Sequence, residues 1–315
     1  NYSDIDGNTY STIVIGEQEW FAENLKVTRF QNGTSILNGQ ELGEVLTDTT
    51  YYFAYDNNPD NIATYGLLYS GYVATDILYN VCPAGWAVPT NEQWKVMEMQ
   101  LGMSWEETNN WGISNGHGTD EGGKLKATGL DYWALPNVGA TNEIGFNALP
   151  GGGWYTSFQE EGATARFVTS TKSNGTPIQR LYSFNHPRTF KTAQQPEAAS
   201  SIRCIKIRYD QSEPQVVTGS VTSVQASTAT IDAEVVDAGN ASVVARGIAY
   251  SRYTDMPEVE TQVGGMFTSN GAGTGAFSAE IKGLLPNITY YARAYAVNAK
   301  GISFGETVEF TTQPA

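Results

Sequence analysis

Few residues of this 315-residue chain carry side chains suited to covalent or metal chemistry. Cysteine occurs twice, at Cys82 and Cys204, and histidine twice, at His117 and His186. The two thiols lie far apart in sequence, and counting leaves two readings open: one disulfide, or two free buried thiols in a reducing compartment. If bridged, a loop of that length is worth roughly 4–5 kcal/mol in the chain-entropy treatment. His117 sits in Asn115-Gly116-His117-Gly118-Thr119-Asp120 and His186 in Asn185-His186-Pro187. Neither has a second histidine at helical metal-binding spacing, and no phosphate-binding lysine loop occurs. Lone loop histidines of this kind are expected at the solvent surface. The residues therefore point to no enzyme, no cofactor and no metal.

Two other groups bear on ligands. Asp4, Asp6 and Asn8 alternate as in a calcium loop, but the twelfth position, where a glutamate would close the shell, is Ile15. A tight turn is the better reading. The long stretch from Trp105 to Phe158 is rich in glycine, asparagine and aromatic residues. Aromatic faces beside amides are what stacking on a sugar ring requires, and Trp133, Asn142, Glu143, Trp154 and Tyr155 are the candidate ligand-binding residues. Trp154 and Tyr155, after Gly151-Gly152-Gly153, are expected to be the most exposed. The competing reading is that these rings pack the loops against the core.

The elements that must position these residues fall into two sets. All seven tryptophans, both cysteines and both histidines precede residue 210. The polar run Tyr209-Asp210-Gln211-Ser212-Glu213-Pro214 then precedes a change of pattern, which places one domain at 1–210 and another at 214–315. In the second, alternating strands are predicted at 216–224, 228–236, 243–250, 276–281, 290–298 and 307–312, with no helical pattern. Within the fifth, Tyr290, Ala292, Ala294 and Ala296 take one face and Tyr291, Arg293, Tyr295 and Val297 the other. In the first, a strand at 10–15 follows a tight turn, and Thr90 with Gln93 forms a capping box opening a helix whose apolar face is Trp94, Met97 and Leu101.

Charge excludes some partners. Net charge is −15 and the isoelectric point about 4.5, so phosphate backbones are repelled and nucleic acid is not expected. Anionic lipid is disfavoured likewise. No apolar run reaches 18 residues, so no membrane span is expected. Asn1-Tyr2-Ser3-Asp4 is unlike a signal peptide, which leaves either a removed signal or a trimmed chain.

Gly283-Leu284-Leu285-Pro286-Asn287-Ile288-Thr289-Tyr290-Tyr291, followed by the closing Glu309-Phe310-Thr311-Thr312, resembles a fibronectin type III domain over 214–315. The resemblance implies a corner anchored by leucine and the second tyrosine, Tyr291, and it departs from the family in having Ile231 where an early tryptophan is usual. Four further blocks resemble the Fibrobacter succinogenes major paralogous domain over about 1–208. They are Asp4 to Tyr10 with Ile15 to Leu25, Cys82 to Thr90 (with Ala87-Val88 for the usual Arg-Leu), Gly145 to Gly152, and Ser201 to Lys206. Their order also resembles the C-type lectin-like fold and its formylglycine-generating-enzyme relative. That likeness implies a Cys82–Cys204 disulfide, and hence export. Oxidase-like chemistry would need two neighbouring thiols as copper ligands, and only Cys204 lies in that region. The lectin calcium triplet is incomplete at Leu135-Pro136-Asn137.

The expected protein is thus an α+β C-type lectin-like domain followed by an all-β fibronectin type III or immunoglobulin-like sandwich. It would be an exported bacterial protein, secreted or at the outer-membrane surface, with a lipid anchor on a removed N-terminal segment. Its expected role is binding or adhesion to a glycan or cell-surface protein through the long-loop region. The alternatives are a structural surface component without a small ligand and, remotely, an oxidase-like enzyme.

Overall fold

The computed structural model describes residues 2–42, 47–111, 115–259 and 266–315. They fall into two compact units, Asn1–Ser104 with Trp111–Ile207, and Trp105–Asn110 with Arg208–Ala315.

The first unit is built from small sheets, antiparallel but for the pair Leu37–Asn38 and Tyr51–Phe53, and this corrects the expected α+β lectin-like architecture. A six-stranded sheet runs in the order Phe158–Glu161, Gly151–Trp154, Ala199–Ser200, Leu68–Ser70, Tyr51–Phe53, Leu37–Asn38. A four-stranded sheet runs Thr12–Ile15, Gln18–Phe21, Ile205–Lys206, Trp86–Ala87, and a three-stranded one Thr164–Ser173, Thr176–Ser183, Phe190–Ala193. Only one helix among the described residues exceeds five residues, Asn91–Gln100. It forms as its sequence predicts: the Thr90 side chain accepts from Gln93 N, Thr90 N donates in return to Gln93 Oε1, and Trp94, Met97 and Leu101 are buried. One correctly read helix does not make an α+β layer, because the long-loop region supplies only single turns such as Glu121–Leu125.

Two aromatic cores hold the unit. One gathers Tyr10, Phe21, Tyr69, Trp86, Val168 and Ile202 around a Cys82–Cys204 disulfide. The other gathers Trp20, Trp94, Leu125, Trp133, Phe146, Phe167 and Tyr182.

The second unit is a sandwich. One sheet orders Gln215–Val224, Thr228–Asp237 and Gly275–Lys282. The other orders Met266–Phe267, Ala245–Ser251, Thr289–Val297 and Ile302–Phe304, with Val308–Thr311 also pairing Thr289–Val297. The alternation in Thr289–Val297 is realised: Tyr290, Ala292 and Ala294 enter the core with Ile231. The corner tyrosine differs from expectation. Tyr290, not Tyr291, accepts the Leu285 N–H at 3.0 Å and stacks on Phe310, because it is Tyr290 that faces inward. On the opposite face Tyr295 receives a hydrogen bond from Trp105 Nε1 at 2.9 Å.

Candidate functional site

The five sequence-predicted residues do not form one aromatic surface. Trp133 is 2 % exposed; its Nε1 donates to the Ala148 carbonyl and its ring lies under the Lys126 ammonium. Trp154, expected to be exposed, is 8 % exposed and stacks on Phe53 with centroids 4.7 Å apart. The glycines before it are no hinge: Gly151–Trp154 is a strand, and a Cβ on Gly152 would stand 2.2 Å from the Gln159 carbonyl. Tyr155 is half-buried and accepts from Arg166 Nη1 at 2.7 Å. Glu143 is exposed. Asn142 holds its neighbour in place, accepting the Asn147 N–H at 2.8 Å.

The other chemistry-bearing residues are turned inward. Asp4 accepts from the N–H groups of Asp6 and Asn8, from Asn8 Nδ2 and from Tyr10 Oη, while Asp6 binds Thr28 and Arg29. These oxygens are committed to a turn, as the sequence suggests. A cavity of about 230 Å³ beside them is lined by Asp4, Ile5, Val27, Arg29 and Cys82. His117, expected at the surface, is buried; its backbone pairs with Thr189 and Nε2 lies 4.0 Å from Glu98 Oε2. His186 is partly exposed, and burial, then Arg188 and Lys126, hold it below the ordinary histidine range.

What the long-loop region does expose is a different set of residues. Leu130, Tyr132 and Leu135 are 54 %, 46 % and 73 % exposed on one loop, 129–137. The loop is rooted through Trp133, Ala134 and Asn137. Trp133 is anchored as above, Asn137 Nδ2 donates to the carbonyls of Ala127 and Gly129, and Ala134 N donates to Gly162 O. The next turn is pinned by Lys126, whose ammonium donates to the carbonyls of Val138, Ser183 and His186; burial draws its pKa down to about 8. Sequence reasoning missed these three residues by choosing the tryptophan. The local signal was the position of the ring: Trp133 roots the loop while Tyr132 and Ala134 on either side of it face outward.

Tyr132 meets Tyr65 edge-on at 6.2 Å, and Tyr65 ends the short helix Asn61–Tyr65. Ala63 and Thr64 of that helix border a small polar pocket of about 30 Å³, lined also by Glu23, Asn24, Lys26, Asn147 and Arg203 among others. Arg203 crosses the floor. It donates to Asn24 Oδ1 at 2.7 Å and to the carbonyls of Phe21, Phe146 and Asn147, between the rings of Phe146 and Phe167. An apolar loop and a polar pocket thus flank one helical turn. The arrangement suits recognition: an apolar contact area on a pre-organised backbone, beside fixed donors.

Comparison with known proteins places this unit. Residues 13–206 match the Fibrobacter succinogenes major domain, and the chain belongs to that family. No curated protein matches it. Among solved structures, similarity is found to the sensor domain of the anti-sigma factor RsgI4 of Pseudobacteroides cellulosolvens, at 19 % identity over 33 % of this chain and 98 % of that one, with a TM-score of 0.25. The sixth fibronectin type III domain of human fibronectin type III domain containing protein 3 is 28 % identical over 33 % of this chain and 90 % of its own, again with a TM-score of 0.25.

Proposed function

We propose that this member of the Fibrobacter succinogenes major domain family is a non-catalytic recognition protein of the bacterial cell surface. Its first unit would hold a protein partner through the face around Asn61–Tyr65. The observation that carries this reading is the exposure of Leu130, Tyr132 and Leu135 on a loop held in place by the buried and bonded Trp133 and Asn137. Apolar side chains stay in water on a rigid loop at a free-energy cost, and covering them recovers roughly 25 cal/mol per Å². The Cys82–Cys204 disulfide supports an oxidising, extracytoplasmic compartment. A protein partner is favoured over a glycan because Trp133 and Trp154, the rings best suited to a sugar, are spent on the core. The same packing supports the second reading, a structural surface component with no small ligand.

The test compares binding of the full chain to intact envelope preparations with that of Tyr132→Ala and Leu130→Ser/Leu135→Ser. Loss of at least tenfold in affinity, with an unchanged circular dichroism spectrum, is expected. Equal binding by all three would favour the structural component. Glycan-array binding abolished by Trp154→Ala would restore the sugar reading.

A further inference from the structure

The polar pocket carries an observation of its own. Arg203 is 1 % exposed, yet each of its hydrogen-bond acceptors is a neutral oxygen. Those four bonds use four of the five guanidinium N–H groups: the one on Nε, both on Nη1 and one on Nη2. The second N–H of Nη2 has no acceptor among the described residues. A buried cation without a counter-charge is unfavourable, and here burial draws Arg203 down to about 9. The acid in its field, Glu23, is already held by Ser11 N, Ser11 Oγ and Lys26 Nζ, which keep its carboxyl below the ordinary range although burial pushes the other way.

Around the pocket, Arg203 and Lys26 stand against Glu23, leaving one formal positive charge. Its volume of about 30 Å³ has room for a water molecule or the oxygen of a ligand, since one water-sized probe needs roughly 10–15 Å³. Leu149 and Ala63 add apolar wall, and Thr64 and Asn24 add polar groups.

We propose that this pocket is a subsite for a single carboxylate, received by the free Nη2 N–H of Arg203 and by Lys26 at the rim. Resting on the function proposed above, the partner is a polypeptide segment that places an acidic side chain beside an apolar one. The carboxylate enters the pocket while the apolar group covers Tyr132 across the Asn61–Tyr65 helix. A carboxylate supplies the missing counter-charge and a charge-assisted hydrogen bond, whereas a neutral amide supplies neither charge.

The probe is acetate, titrated into the full chain at constant ionic strength and read as the thermal midpoint of the first unit. The expected result is a saturable rise of roughly 2–4 °C by 100 mM acetate. Acetamide should give no such rise, nor should chloride replacing acetate at equal ionic strength, and Lys26→Gln and Thr64→Val should each reduce it at least twofold. No saturable rise, an equal rise with acetamide or chloride, or undiminished rises in both variants would overturn the subsite. Tyr132→Ala separates the two proposals. It leaves the acetate response intact if the subsite is real, whatever it does to envelope binding. Envelope binding that depends on Tyr132 beside a silent acetate titration removes the subsite alone.

Discussion

Glu98 and Arg180 are both fully buried and meet through Arg180 Nε to Glu98 Oε1 at 2.6 Å, while Arg180 Nη1 donates to Asn91 Oδ1 at 3.0 Å. Removing one member leaves a bare charge in the interior, so Glu98→Ala is expected to cost about 3–5 kcal/mol. Glu98→Met/Arg180→Met should lose much less, and urea unfolding of the three proteins measures the difference. Lys126 gives a prediction in pH. Its folded pKa of about 8 lies below its ordinary value of 10.5, so between those values the unfolded chain binds the extra proton. Stability must therefore rise with pH across that window, by at most about 1.4 kcal/mol per unit, while below pH 8 the penalty is constant. Buried tyrosines such as Tyr10, raised by burial and by Asp4, act in the opposite sense above pH 10, which confines the test to pH 8–9.5. Unfolding curves of the wild type should show the rise, and those of Lys126→Met should keep only the smaller part that Arg203, drawn down to about 9, contributes in the same sense. At this scale the sequence was legible where one residue's partners are its neighbours, as in the Asp4 turn. It misled at Trp133, where the deciding partner is the Ala148 carbonyl, fifteen residues away.

Among the elements, those with local signals were the most readable. The Asn91–Gln100 helix announced its cap and its buried face, and the sandwich strands announced their alternation. The Gly151–Trp154 strand did not, because three glycines in a row resemble a loop until the close approach they allow is known. Gly152 has φ +59° with its α-carbon facing the carbonyl of Gln159, so Gly152→Ala combines a left-handed backbone penalty with a clash. An effect on the order of 2 kcal/mol is expected in equilibrium unfolding. Gly175, also at positive φ but with nothing near its missing side chain, should lose clearly less on the same change. The tyrosine corner shows the limit of resemblance: the motif located the turn, and only the inward face of Thr289–Val297 decided between Tyr290 and Tyr291.

At the scale of the whole molecule, composition separated the two halves, but it could not show that Trp105–Asn110 groups with the second. The cysteine pair left two readings open, and the bond that joins them spans 122 residues. Replacing both cysteines by serine should lower the first unit's stability by about 4–5 kcal/mol, reduced by any residual structure in its unfolded state. Calorimetry should show that unit's transition falling while the sandwich's stays in place. The lectin-like expectation failed at this scale too, because block order along a chain does not fix which strands become neighbours.

That neighbourhood has a consequence in time. Ala199–Ser200 lies between Gly151–Trp154 and Leu68–Ser70, and Ile205–Lys206 lies between Gln18–Phe21 and Trp86–Ala87. The central strands of both sheets are therefore the last to be synthesised. A growing or translocating chain holds two unfinished half-sheets until residue 206 emerges, then closes both within a few residues and brings Cys204 to Cys82. A chain interrupted before residue 199 lacks the strand that joins the halves of each of these two sheets, and is expected to stay open to proteolysis there.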